Sequence, residues 1–193
     1  PQDDRGARIT LLEDGDLLLS GTTNSTTASE NHAWILRVDS NAQTIWSTTV
    51  EDAPLLQAVD AIEHTNGSLT ILGMRYANPS DGYDWGWYHL SSEGTLTGTT
   101  TWGSSSWDLP VRCWNRNDTM WTLGTTYASG NGDVFWMQHG EGNEAWSNVN
   151  SGEIHATAVE EIAVDGVWTG DTLVVASTLV SAANRARVDA FKP

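Results

Sequence analysis

Hydrophobic and polar positions alternate in short runs along this chain, and the runs recur about every 51 residues. The stretch "EDGDLLLSGTT" is a turn pair followed by apolar residues that end on a glycine, and three similar stretches follow it. The four stretches are 13–23, 65–75, 116–126 and 168–178, and they place Gly21, Gly73, Gly124 and Ala176 at the same point. The spacings between these residues are 52, 51 and 52. Such regularity is the signature of a repeat protein.

Two further elements accompany each copy of the motif. An apolar strand precedes it, around 7–12, 57–64, 109–115 and 156–164, and a hairpin follows it, at 33–46, 85–98 and 134–146. The fourth hairpin starts at 186–191, and position 193 comes before the counterpart of Trp46. Four short strands per repeat, joined by Asp-Gly and Asn-Gly turns, are typical of a propeller blade.

We therefore predict an all-β fold, a β-propeller of four blade repeats with four strands each, of which the last blade is incomplete. The repeats span roughly 7–50, 57–104, 109–150 and 156–193. They form a single propeller domain or a fragment of one.

The pattern resembles the SBBP-type β-propeller repeats of secreted bacterial and archaeal proteins, over nearly the whole chain. Part of it is also similar to the tryptophan-docking motif of quinoprotein-like propellers, in which a tryptophan of one blade packs across to its neighbour. That motif reads Asp39, Ala42 and Trp46 in the first repeat, and Gly142 and Trp146 in the third. Gly98 stands in place of the tryptophan in the second repeat. The resemblance implies a scaffold and leaves the activity open, because propellers host many functions.

An incomplete last blade leaves strand edges exposed, and such edges invite pairing with other chains. Three arrangements are open: a natural chain that continues past 193, two chains that complete one larger ring, and a closed four-bladed ring. The expected partners are accordingly a protein, or a second copy that joins through the open blade edge, or a glycan.

The charge of the chain excludes several functions. Twenty-five acidic residues oppose nine basic ones, and the formal net charge is −16. This charge repels nucleic acids and anionic membranes, and it is also typical of proteins that work in salty surroundings. No apolar run reaches the length of a membrane helix, so membrane insertion is not expected. Cys113 is the only cysteine, and the five histidines form no ligand-spaced pair, so we expect no metal and no cofactor.

The most unusual stretch is "NPSDGYDWGWYH" (78–89), which combines aromatic rings with carboxylates. One interpretation is carbohydrate recognition, in which indole faces stack on sugars while carboxylates bind hydroxyl groups. The other is structural, because Trp85 and Trp87 alternate along a strand and can cover an interface between blades. The loop "WGSSSWD" (102–108) has a tryptophan near each end. The candidate ligand-binding residues are Asp81, Tyr83, Asp84, Trp85, Trp87, Trp102 and Trp107.

Catalytic residues are not apparent in the sequence. Carboxylates pair at Asp14/Asp16, Asp81/Asp84 and Glu160/Glu161, as glycosidases require, but each pair lies at a turn or a strand end where acids are ordinary. We therefore expect a non-catalytic extracellular or cell-surface scaffold that binds a protein or glycan partner. The alternatives are a lectin-like carbohydrate-binding propeller and a propeller enzyme, either a glycoside hydrolase or a quinoprotein-like oxidoreductase.

Three Asn-x-Ser/Thr sequons occur, at Asn24, Asn66 and Asn117. They would carry glycans only in a glycosylating, secretory setting.

Overall fold

The computed structural model describes residues 3–25, 30–78, 80, 82–116, 119–140, 147–154 (147–149 as backbone only), 159–181 and 183–192. These residues form β-strands joined by turns. The strands are β1 Asp4–Leu11, β2 Leu17–Thr23, β3 His32–Val38, β4 Thr44–Val50, β5 Leu55–Glu63, β6 Leu69–Tyr76, β7 Asp84–Leu90, β8 Leu96–Trp102, β9 Asp108–Arg116, β10 Thr119–Thr126, β11 Asp133–Gly140, β12 Ser147–Ile154, β13 Glu160–Thr169, β14 Thr172–Val180 and β15 Arg185–Phe191. Within the described residues, no helix is long and apolar enough to cross a membrane.

The strands form four antiparallel sheets in which each strand pairs with its neighbour in sequence. The first sheet is β1–β4, the second β5–β8, the third β9–β12 and the fourth β13–β15. The predicted all-β fold of four blade-like repeats is therefore confirmed, and within the described residues the fourth sheet has three strands.

Turn chemistry explains where the hairpins form. Gly15 and Gly67 occupy the positive-φ position of the turns after β1 and β5, with φ of 92° and 78°. Glycine adopts this conformation without steric cost, which is why Asp-Gly and Asn-Gly pairs mark these turns in the sequence. The turn after β3 uses Ala42 instead, at φ 60°. There the Asp39 carboxylate compensates by accepting two backbone N–H bonds, from Asn41 and Gln43, at 2.8 Å each.

The sheets pack face to face in sequence order, and the first strand of each sheet is the one that contacts its neighbours most widely. β5 packs on β1, β2 and β3, β9 packs on β5, β6 and β7, and β13 packs on β9, β10 and β11. Each of the three junctions has its own cluster of buried apolar side chains. Leu18, Ile35 and Ile71 lie in the first cluster, Leu72, Trp85 and Met120 in the second, and Leu123, Trp136 and Leu173 in the third.

The hairpin register corrects the sequence alignment of the fourth repeat by one residue. A β-bulge in the first strand of each sheet fixes the register, and the residues opposite it are Gly21, Gly73 and Gly124 in the first three sheets. In the fourth sheet Ala163, just before the bulge, lies opposite Ser177. The prediction that Ala176 is the equivalent of these glycines is therefore wrong. The equivalent residue is Ser177, 53 residues after Gly124, because one extra residue separates the bulges of β9 and β13 while the two hairpins have the same length.

Trp46 packs across to the neighbouring sheet, as the docking motif implies. Its indole Nε1 donates to the carbonyl oxygen of Ser92 in the second sheet at 3.0 Å. Gly94 lies directly under the ring, where a Cβ would overlap with the indole. Gly98 leaves the second sheet without an equivalent indole, and Trp146 of the third lies outside the described residues.

Candidate functional site

One end of the four sheets carries the connections that follow the even-numbered strands, because successive strands alternate in direction. We call this end the loop face. Its described residues lie in 24–25, 30–31, 51–54, 77–78, 80, 82–83, 103–107, 127–132, 159, 181 and 183–184. Backbone hydrogen bonds join neighbouring sheets here, from Asp108 N–H to the Tyr83 carbonyl at 2.7 Å and from Glu161 N–H to the Gly132 carbonyl at 2.6 Å. These bonds tie the loops of neighbouring sheets to one another.

Three aromatic rings meet on the loop face, and we call them the aromatic cluster: Tyr76, Tyr83 and Trp107. The ring centre of Tyr83 lies 5.0 Å from that of Tyr76 and 5.5 Å from that of Trp107, the latter edge to face. Trp107 is 55% exposed, which is unusual for an indole. Gly82, at φ 77°, allows the close approach, because a Cβ there would overlap with Ser106 and the Trp107 ring. Sequence reasoning identified Tyr83 and Trp107 and missed Tyr76, whose place at the end of β6 gave no signal.

Charged groups near this end of the second sheet face the first sheet, on the side opposite to the aromatic cluster, because consecutive residues of a strand point to opposite faces. Arg75, next to Tyr76 in sequence, donates from Nε to Asp52 Oδ2 at 2.8 Å and lies 3.7 Å from Asp84 Oδ2. The hydroxyl of Tyr88 also donates to Asp52 Oδ2, at 3.1 Å, and burial together with this carboxylate raises the pKa of Tyr88. These charged groups are therefore engaged with one another on the first-sheet side of the second sheet.

The other described aromatic candidates lie at the junction of the second and third sheets, where Trp102 is half-buried. Trp85 and Trp87 are fully buried at the junction of the second and third sheets. Trp87 Nε1 donates to Thr122 Oγ1 at 3.1 Å, and Trp102 stacks on Phe135 with ring centres 4.9 Å apart. These three indoles therefore pack between sheets, which is the role that alternation along the strand indicated for Trp85 and Trp87. Asp81 lies outside the described residues.

The candidate catalytic carboxylates are engaged in structural interactions. Asp14 and Asp16 both bind Arg37, the second at 2.9 Å from Arg37 Nε. Hydrogen bonds from the backbone, first that of Asp16, lower the pKa of Asp14.

The two carboxylates at the start of β13 have separate partners. Glu161 is buried and binds Arg187 Nη1 at 2.7 Å, and Glu160 accepts a bond from the Tyr127 hydroxyl at 2.8 Å. Both pairs are therefore engaged with arginine or tyrosine side chains of the fold.

Three histidines that are distant in sequence come together between the second and third sheets. His64 Nε2 and His89 Nδ1 both contact Thr70 Oγ1, at 2.7 and 3.0 Å, and His139 packs edge-on against the Trp87 ring at 4.5 Å. Burial, reinforced by the neighbouring imidazole, lowers the pKa of His89 and that of His139 to about 4 each. They are therefore neutral at pH 7. No group of three metal-ligating side chains is found among the described residues.

A row of alternating charges runs across the first strands of the four sheets. The residue that follows each β-bulge is Arg8 in β1, Asp60 in β5, Arg112 in β9 and Asp165 in β13. We call these four residues the bulge ladder. Arg8 Nε lies 3.2 Å from Asp60 Oδ1, and Arg112 Nε lies 3.3 Å from Asp60 Oδ2 and 3.5 Å from Asp165 Oδ1. A cavity of about 440 Å³ opens beside the first three.

Sequence reasoning missed the bulge ladder, although its members are spaced by 52, 52 and 53 residues. The four residues stand at equivalent positions of the repeats. Because arginine and aspartate alternate from one repeat to the next, a search for identical residues does not find them.

Two of the three sequons are described. Asn66 is an exposed turn residue whose Oδ1 accepts bonds from the Ser68 N–H and hydroxyl, at 3.0 and 2.7 Å. Asn24 Oδ1 accepts from Asp3 N–H at 2.7 Å. Asn117 lies outside the described residues.

Comparison with known proteins supports the fold and is silent on activity. No family model matches the chain, and no curated protein is similar to it. A solved structure of a protein of unknown function from Bacteroides caccae is similar, with a TM-score of 0.56 and 9% sequence identity. The similarity covers 96% of this chain and 61% of the other, so this chain spans about three fifths of the length of that protein. At this identity the likeness concerns the fold alone.

Proposed function

We propose that the protein is a non-catalytic scaffold of the extracellular or cell-surface kind, and that it binds a protein partner on its loop face. The observation that carries this proposal is the aromatic cluster, above all the exposed indole of Trp107. Tyrosine and tryptophan are enriched at the centres of protein interfaces, where they contribute most of the binding energy. The backbone bonds between the loops pre-organise the surface, which lowers the entropic cost of binding.

The non-catalytic character is supported by the state of the candidate acids. General acid and base chemistry requires carboxyl groups that reach a common substrate. Asp14 and Asp16 converge on one arginine, and Glu161 is buried against another. The surplus of acidic residues favours a basic partner, since a net charge of −16 steers positively charged surfaces toward the chain. The extracellular setting rests on the resemblance to SBBP-type repeats.

A Trp107→Ala variant tests this proposal. A partner is cross-linked to the wild-type chain on the surface of cells of the encoding organism, purified, and its affinity is measured by biolayer interferometry. We expect the dissociation constant to rise about 30-fold in Trp107→Ala, the effect of losing a hot-spot residue of about 2 kcal/mol. Leu96→Ala, which removes an exposed apolar side chain on β8, is the matched control and should bind like wild type. Equal binding by Trp107→Ala would contradict the proposal.

Carbohydrate binding is the second candidate, because the exposed indole of Trp107, which packs against Tyr83, can stack on the face of a sugar ring. A glycan array probed with wild type, Trp107→Ala and Leu96→Ala separates the two candidates. Binding that only Trp107→Ala loses supports a lectin, and an array without signal leaves the protein partner as the ligand.

A further inference from the structure

The bulge ladder ends at Arg8 and at Asp165, and each of these two residues has an oppositely charged ladder neighbour on one side alone. Asp60, inside the ladder, is bound on both carboxylate oxygens. Oδ1 accepts the Ala61 N–H at 3.0 Å and faces Arg8, whereas Oδ2 accepts the Cys113 N–H at 3.0 Å and faces Arg112. Each carboxylate oxygen of Asp60 thus has one arginine and one backbone N–H group as its partners.

Asp165 repeats only half of this arrangement. Its Oδ1 accepts the Gly166 N–H at 2.8 Å and faces Arg112 at 3.5 Å. Its Oδ2, the counterpart of the oxygen that binds Cys113 and Arg112 in Asp60, accepts no hydrogen bond from the described part of the chain. The Asp165 side chain is 57% exposed. At the other end, Arg8 is 36% exposed and faces a carboxylate on one side alone.

The sheet faces around these two ends are apolar. The face of the first sheet that points away from the second sheet carries residues that lie opposite one another on paired strands. These residues are Ile9, Leu11, Leu17, Leu19 and Leu36. On the fourth sheet they are Val167, Val174, Ala176, Val188 and Ala190. Leu11 is 71% exposed and Val188 is 69% exposed. In this structure, neither face is covered by the other.

The same positions are buried wherever two sheets of this chain meet. Fifty-two residues after Leu17, Leu19 and Leu36 stand Leu69, Ile71 and Tyr88, which are fully buried against the first sheet. The outward face of the first sheet therefore has the composition of a surface that another sheet covers. The small side chains of the fourth sheet are complementary in volume to its large ones.

We propose that a second copy of this chain covers both faces: the first sheet of each copy packs on the fourth sheet of the other, with Arg8 beside Asp165. The contact repeats the junction that the chain already forms three times. Asp165 Oδ2 then receives the Arg8 guanidinium and the Ile9 N–H of the second copy, as Asp60 Oδ2 receives Arg112 and Cys113.

Two copies joined in this head-to-tail way close into a ring of eight blades. A head-to-tail contact must close to avoid forming fibres, and eight blades lie within the range of known propellers. The inference goes beyond the proposed function, because it concerns the end faces and leaves the loop face free.

The first measurement is the mass of the particle, by light scattering and sedimentation equilibrium over a range of concentrations. Each copy carries a net charge of −16, so the measurement is made at about 0.15 M and about 1 M KCl, where screening limits long-range repulsion. We expect a dimer of twice the 21.0 kDa chain mass. A monomer under all conditions would overturn the proposal, and it would indicate that the end faces are covered by something else, such as further blades of a longer chain.

Three variants test the geometry. Leu11→Glu and Val188→Glu place a charge in the contact from opposite sides, and Asp165→Lys sets two cations against each other in the ladder. Each should raise the dimer dissociation constant at least about 100-fold. Leu96→Glu introduces the same charge on an exposed apolar position of the second sheet and should leave the dimer intact. Circular dichroism verifies that each variant is folded.

A mixture identifies the head-to-tail arrangement. Leu11→Glu and Val188→Glu, each monomeric alone, retain one intact contact between them and should form a heterodimer when mixed. A dimer that survives Val188→Glu or Asp165→Lys, or a mixture that stays monomeric, would falsify the model. None of these outcomes depends on Trp107, so the failure of one proposal leaves the other standing.

Discussion

At the scale of single residues, the repeating glycine records how closely strands approach at the bulge. A Cβ on Gly124 would overlap with the carbonyl oxygen of Leu109 on β9 and with the Trp85 ring of the neighbouring sheet. A Cβ on Gly21 would overlap with the carbonyl of Arg5 in the same way. Neither glycine has a positive φ, so space rather than backbone conformation requires glycine here.

Gly124→Ala should therefore lower the free energy of unfolding by about 1–3 kcal/mol, the usual cost of forcing a methyl group into a packed site. The measurement is urea unfolding followed by circular dichroism. Gly98→Ala is the matched control, because a Cβ at Gly98 would meet only His89, at an ordinary contact distance of 3.6 Å. It should change stability by less than about 0.5 kcal/mol. Equal effects of the two substitutions would show that the close approach at Gly124 has no energetic consequence.

At the scale of elements, the junction of the second and third sheets contains polar groups that sit in an apolar setting. His89 on β7 and His139 on β11 are kept neutral by burial, which lowers the pKa of each to about 4. In the unfolded chain an imidazole has a pKa of about 6.5. Between these values the unfolded chain binds more protons than the folded one, so acid favours unfolding.

The free energy of unfolding should be highest above pH 6.5 and should fall as the pH drops toward 4, by about 2–3 kcal/mol for each buried imidazole. His139→Phe retains a ring against Trp87 and removes the titrating group. It should flatten this slope and leave the curve between pH 7 and 8 parallel to that of wild type. Denaturant titrations at half-unit pH intervals measure both curves. An unchanged slope between pH 5 and 6.5 would show that His139 is not the source of the acid sensitivity.

The elements were predictable because turn pairs and alternation are local signals. The four repeats and the three-stranded last sheet follow from turn pairs and short strands that are close together in sequence. The packing of Trp46 on Ser92, 46 residues away, was implied by the resemblance to the docking motif. The candidate site depended on which strand faces become covered, and a single strand does not encode that. Trp85 and Trp107 are both tryptophans of one aromatic-rich region, yet the third sheet covers the first and leaves the second exposed. Tyr76 and the histidine group also depend on contacts between distant residues, so no local pattern marked them.

At the scale of the whole molecule, positive charge is scarce, and most arginines are paired with carboxylates. In the described residues, the arginines that bind carboxylates are Arg5, Arg8, Arg37, Arg75, Arg112, Arg116 and Arg187. Acidic residues outnumber basic ones 25 to 9, and the resulting net charge of −16 opposes the compact state.

Raising KCl from about 0.05 to about 1 M should therefore stabilise the protein, because the screening length falls to about 3 Å at 1 M. We expect a gain of about 1 kcal/mol or more, which corresponds to an increase in Tm of about 2–4 °C per kcal/mol at this chain length. Scanning calorimetry of the monomeric Val188→Glu variant measures the effect without a contribution from association. A Tm that falls with salt would mean that the ion pairs outweigh the surface repulsion.

The alternating signs of the bulge ladder also limit how a chain of this kind can grow in evolution. Duplicating one blade would place two arginines or two aspartates next to each other in the bulge ladder, and this contact between like charges would lie in a partly buried site. Duplicating two consecutive blades, the 104 residues from Arg8 to Arg112, preserves every pair. Homologous chains that retain this ladder should accordingly differ in length by even numbers of blades, with the pair of blades as the inherited unit.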